Sequence, residues 1–144
     1  MADVTLTVAK VRPLNGAIIR RAIAGEALAF GDSVYVSSYS GDLPVVSKTD
    51  GNGALGLTRC FGVVVSAQTD TSGATSVASG NGCDVVTFGP VTGFIDAPTG
   101  AHCWISDNAG LIATAVSGTH SCIVGVAESP TVILVRPFAG VVSS

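Results

Sequence analysis

The chain has 144 residues, of which 47% are hydrophobic, only 12% are charged and 18 are glycine, with a formal net charge of −3. The high apolar fraction and small net charge exclude disorder as the main state, and the shortage of Glu, Lys, Arg and Leu excludes coiled coils and long amphipathic helices. One domain's worth of chain remains, long enough to bury a core without disulfides or metals.

Strand and turn signals follow in chain order. Val4-Thr5-Leu6-Thr7-Val8 alternates with period two, as a half-buried strand does. No basic segment followed by an apolar stretch opens the chain, so no secretory signal is expected. Lys10, Arg12, Arg20 and Arg21 face only Asp3 within residues 1–21, a net of +3. Residues 22–144 hold Lys48, Arg59 and Arg136 against nine acids, a net of −6. A basic N-terminal arm or hairpin on an acidic body suits docking on an acidic protein surface or on a neighbouring copy. Four cations on an acidic chain do not make a nucleic-acid binder.

Asn15-Gly16 reads as a turn, and Ala22–Ala29, broken by Gly25, is the best of the poor helix candidates. Ser33-Val34-Tyr35-Val36-Ser37 is the next strand. The apolar runs Phe61–Val65, Val85–Phe88, Ile123–Ala127 and Thr131–Val135 have the length and β-branching of strands buried on both faces. Ser40-Gly41-Asp42, Asp50-Gly51-Asn52-Gly53, Asn81-Gly82, Asp107-Asn108-Ala109-Gly110 and Ser117-Gly118 supply turns between them. The charge-free stretch Asn108 to Ala127 is long enough to span a membrane, but polar residues and three glycines recur through it, so sheet and turns are expected and no membrane is assigned as partner.

An internal repeat organises the chain. Gly31, Tyr35, Val36, Ser37 and Gly41 match Gly100, Trp104, Ile105, Ser106 and Gly110 at one offset of 69, and Phe61-Gly62-Val63 matches Val124-Gly125-Val126 at an offset of 63. The copies cover about residues 24–67 and 93–129. Each reads as a bend, an aromatic-bearing strand, a glycine turn, a second strand, a loop and an apolar strand with a central glycine. Two such meanders pack around one core, so the expected fold is all-β: a compact β-sandwich or partly open barrel with an extended N-terminal arm. Tyr35 and Trp104 are read as core.

No constellation points to chemistry. Ser106, Asp107, His120 and Ser121 lack any nucleophile-elbow context. His102 and Cys103 fall on opposite faces of a strand, leaving only His120 and Cys122 on a shared face, too few ligands for zinc. Gly51-Asn52-Gly53 lacks the Lys and the helix of a phosphate loop. No catalytic, metal or cofactor residue is therefore assigned, and no cofactor is expected. Cys60, Cys83, Cys103 and Cys122 are read as buried thiols.

The run Ala24-Gly25-Glu26-Ala27-Leu28-Ala29-Phe30-Gly31-Asp32-Ser33-Val34-Tyr35-Val36, with Cys60-Phe61-Gly62-Val63-Val64, Gly89-Pro90-Val91-Thr92-Gly93 and Val124-Gly125-Val126-Ala127, resembles the small capsid decoration (cement) proteins of tailed bacteriophages. The resemblance covers about residues 22–136; the loops Thr49–Gly56 and Asp70–Gly82 look long against it. It implies a non-enzymatic virion structural protein, commonly a homotrimer, made in the bacterial host cytoplasm and placed on the capsid surface. There it would bridge subunits of the major capsid protein and stabilise the head. A head-fibre or tail-tip protein that recognises a host is the alternative, with those two loops as its recognition surface. Within the arm, Val4, Leu6 and Val8 would add a strand to another chain's sheet edge, and Lys10, Arg12, Arg20 and Arg21 would pair with acids of the capsid or of a neighbouring protomer. On this view, removing residues 2–12 abolishes head binding and leaves the body folded.

Overall fold

The computed structural model describes residues 3–53, 59–68, 74–116, 118–137 and 141–143. Parts of the loops Thr49–Gly56 and Asp70–Gly82, and Ser117 of one expected turn, lie outside these. The strands are β1 (Arg12–Pro13), β2 (Ile18–Ala24), β3 (Leu28–Ala29), β4 (Ser33–Ser40), β5 (Leu43–Lys48), β6 (Gly62–Ala67), β7 (Ser76–Val77), β8 (Gly82–Thr92), β9 (His102–Ile105), β10 (Ile112–Ala113), β11 (His120–Ser129), β12 (Val132–Val135) and β13 (Val141–Ser143). Among the described residues the only helical element is a 3-10 turn at Val8–Lys10. The fold is compact and all-β. The helix candidate at Ala22–Ala29 instead ends β2 and forms β3, and the charge-free stretch 108–127 holds β10 and most of β11. Among the described residues no helix is long and apolar enough to cross a membrane.

Five strands close into a barrel in the order β8-β2-β5-β4-β6 and back to β8. Only β2 and β5 run parallel, through Ile23 opposite Val45 and Ala24 opposite Val46. Closure leaves this ring without a full-length edge. β8 runs through Gly89-Pro90 to Thr92. Beyond the barrel it pairs on one side with β12 and on the other with β1. A second set then follows in the order β12-β11-β9-β10.

Between β10 and the end of β8 lies the N-terminal segment. Asp3 bridges Ala113 and Leu6 bridges Phe94. The Val4 N–H donates to the Ile112 carbonyl at 2.7 Å, Thr7 N–H to Gly93 at 2.8 Å, and Ile95 N–H to Thr5 at 2.9 Å. Residues 3–7 thus complete a second ring. Val4 is 3% exposed and Val11 6%. Removing residues 2–12 would therefore open this ring and take two core side chains with it. That packing argues against the expectation that the body folds without them.

The two halves share one register. Val34 pairs with Gly62 and Ser33 with Val63; at the same offsets, Cys103 pairs with Gly125 and His102 with Val126. The hydrogen bonds repeat as well: Gly31 N–H to Val64 O and Val64 N–H to Asp32 O are matched by Gly100 N–H to Ala127 O and Ala127 N–H to Ala101 O. Gly62 and Gly125 are glycine for one reason. A Cβ at Gly62 would overlap the Val86 carbonyl oxygen, and one at Gly125 the Leu134 carbonyl oxygen. The neighbouring strand crosses too close for any side chain.

The hairpin turns Gly41 and Gly110 also correspond, with φ of 61° and 80°, a region that favours glycine. Their surroundings differ. Gly110 docks on the first half, accepting from Ser33 N–H and donating to Thr49 O, both at 2.9 Å. Beneath it Ser33 and Thr49, both fully buried, hydrogen-bond to each other. Gly41 has no atom within 4 Å of where a Cβ would stand, so the β4–β5 hairpin ends free in solvent. One hydrophobic cluster spans both halves, from Val34, Val46 and Val63 to Ile105, Ile112 and Ile133.

Candidate functional site

Among the described residues, strand β8 is the only element shared by both rings, and the basic N-terminal segment lies along it. Arg21 sits opposite Asp84, Arg20 opposite Val85, Ile19 opposite Val86 and Ile18 opposite Phe88. Further on, Leu14 N–H donates to Pro90 O, and Arg12 sits opposite Thr92. Three of the four expected cations thus flank one strand over about eight residues, roughly 26 Å at 3.3 Å per residue, and Lys10 closes the 3-10 turn just before β1. Lys10, Arg12, Arg20 and Arg21 are all exposed, and among the described residues none of them forms an ion pair. Arg20 is partly held: its guanidinium lies 5.9 Å from the centre of the Phe61 ring, a cation–π distance. Asp84 accepts the Ser66 hydroxyl at 2.8 Å.

Exposed apolar residues accompany the two arginines. Ile18 is 56% exposed, Ile19 47%, Phe88 45% and Tyr39 79%. The parallel register of β2 and β5 sets Leu43 level with Arg21, so the free hairpin tip and Tyr39 lie at the same end of the barrel as the start of β2. Burial in β2 switches on only at Ala22; Ile18 to Arg21 are exposed on both faces. This apolar and basic barrel end is the main candidate for contact with another macromolecule.

The three apolar residues expected to reach another chain sit elsewhere. Val4 belongs to the core, and Leu6 and Val8 are half-buried against it. Ile18, Ile19 and Tyr39 read in the sequence as ordinary strand residues, and Phe88 ends a run expected to be buried on both faces; the structure leaves all four exposed. Tyr35 and Trp104 are half-buried rather than core, with Trp104 edge-on to His102 at 6.1 Å.

Two cavities open on the second half. One, of about 310 Å³, is lined by Thr7, Lys10, Arg12, Thr92, Ile95 and Thr131, among others. The other, of about 340 Å³, lies between His102, Ile123, Val126 and Arg136.

Several titratable groups lie inside the fold. Asp32 is 6% exposed. Burial raises its carboxyl to about 6, opposed by the Ala29 N–H bond and by the Lys48 charge. Burial likewise pushes the Cys83 and Cys103 thiols up to about 11 and the Cys60 thiol higher still. Ser106 is fully buried, and its hydroxyl donates to the Asp3 carboxylate. Among the described residues no three His, Cys, Asp or Glu side chains gather as metal ligands. No protein-family model and no curated protein matches the chain.

Proposed function

We propose that the protein decorates the outside of a bacteriophage capsid and stabilises the head by bridging subunits of the major capsid protein. The observation that carries this reading is the barrel end at Ile18–Arg21. Arg20 and Arg21, which form no ion pair among the described residues, stand there among exposed Ile18, Ile19, Phe88 and Tyr39. Such an end fits an acidic, partly apolar protein surface. The body behind it is stiff: paired strands, one continuous core and no exposed full-length edge in the first ring. A clamp that resists outward pressure needs that stiffness, and it needs no catalytic group. The resemblance of the 24–36 run and of the glycine-centred strands to decoration proteins supplies the identity of the partner.

Self-association, as a homotrimer, belongs to the same reading. Many copies on a lattice make a modest interface sufficient, because each added contact is made at high effective concentration.

The test uses undecorated heads and the full-length protein. Wild type is expected to bind in a saturating ratio, spread over the head in electron micrographs, and to raise the temperature at which heads release DNA. An Arg20→Glu, Arg21→Glu double variant is expected to lose at least tenfold in affinity. Binding confined to one vertex or to the tail would favour the head-fibre or tail-tip alternative. No binding to any particle would refute both.

A further inference from the structure

We propose that the 310 Å³ cavity beside the N-terminal 3-10 turn binds a carboxylated sugar, of the uronic acid class. The cavity lies at the Thr92 end of β8, four residues beyond Phe88, which pairs with Ile18, and it is lined by none of Ile18, Ile19, Arg20 and Arg21, so the inference does not depend on the capsid assignment.

Its chemistry is specific. Lys10 and Arg12 are both exposed at its wall, and among the described residues no acidic one lines it. On a chain of net charge −3, that is a local reversal of sign, and it selects an anion. An arginine fork takes a carboxylate through two parallel hydrogen bonds, with the lysine as a second point charge.

Three threonines, Thr7, Thr92 and Thr131, share the lining. Each hydroxyl can both donate and accept, as ring hydroxyls require. The Thr92 hydroxyl already donates to the Thr131 carbonyl at 3.3 Å, which leaves its lone pairs to accept from a ligand. Ile95, 52% exposed, adds an aliphatic wall, suited to the less polar face of a pyranose ring.

Size separates a sugar acid from an acidic side chain. A cavity near 300 Å³ is at the lower end of small-molecule sites, whereas one carboxylate on a short stem would leave most of it to water.

The experiment follows backbone amide resonances of the full-length, nitrogen-15-labelled protein during titration with glucuronate, glucose and glutamate. Glucuronate is expected to shift the Thr7, Lys10 and Thr131 amides saturably, at one site per chain and in the millimolar range. Glucose, lacking the charge, should bind at least tenfold more weakly. Arg12→Gln and Lys10→Gln should each weaken glucuronate about tenfold while leaving the remaining resonances in place. Glutamate shifting the same amides as strongly as glucuronate would overturn the sugar assignment in favour of an acidic protein side chain. No saturable shift with any of the three, or an unchanged affinity in Arg12→Gln, would overturn the site itself.

Discussion

The N-terminal segment should behave as part of the core rather than as a detachable arm, and Val4→Ala tests this. Val4 is 3% exposed and sits where residues 3–7 join β10 to the end of β8. Truncation to Ala removes two methyl groups, about 1.6 kcal/mol of transfer free energy. If the surroundings do not collapse, a void of about 50 Å³ adds roughly 1 kcal/mol more. The expected loss is therefore about 2 to 3 kcal/mol. Asp3→Ala should cost about 1 to 3 kcal/mol by a different route, because the fully buried Ser106 hydroxyl loses its near acceptor and keeps only the Asp107 carboxylate at 3.4 Å. Lys10→Ala and Arg12→Ala, on exposed side chains of the same segment, should stay within about 0.5 kcal/mol of wild type. Urea unfolding reads all four through the midpoint at constant slope. Amide exchange adds a local readout: in Val4→Ala the Ile95 N–H, which donates to Thr5, should exchange faster. A Val4→Ala midpoint indistinguishable from that of Lys10→Ala would refute the packing argument.

Gly62→Ala and Gly125→Ala should destabilise alike, by about 3 kcal/mol or more, because each new methyl meets a crossing carbonyl; a tolerant site in one half would break the equivalence of the two, as thermal melts would reveal. Asp32 titrates near 6 when folded and lower when unfolded, so folding takes up a proton between about pH 4 and 6. The stability tied to its protonated form is lost as pH rises through that window, by on the order of 3 kcal/mol for a shift of about two units. Asp32→Asn should accordingly gain more, relative to wild type, at pH 7 than at pH 4; an equal difference at both pH values in denaturant titrations would refute the assignment. The Cys83 and Cys103 thiols, held protonated by burial, should resist a thiol reagent at pH 8 until denaturant is added, with absorbance of the released chromophore as the measure. Head binding through Arg20 and Arg21 should weaken as salt rises from 50 to 300 mM, since exposed charges are screened; a flat response in a sedimentation assay would remove their role.

The strands, the turns and the duplication are written locally. Alternation marks a strand with one wet face, and short β-branched runs such as Phe61–Val65 mark strands buried on both, so β4, β6, β11 and β12 sit where the pattern sets them. The repeated glycines even anticipate register, since Gly62 and Gly125 are both forced by a neighbouring backbone. Which strand lies beside which is a long-range choice that no local pattern encodes. The Val4–Val8 alternation is real, yet whether it meets another chain or fills a gap in its own depends on β10 and β8 arriving some 90 to 110 residues later in the sequence. The same holds for the surface. Ile18 and Ile19 look like core beside Ala22 and Ile23, and only the register of the barrel leaves them in solvent, because β5 begins level with Arg21 and does not flank the first residues of β2. Side-chain chemistry thus decided the elements, and the closing of the rings decided which faces remain outside.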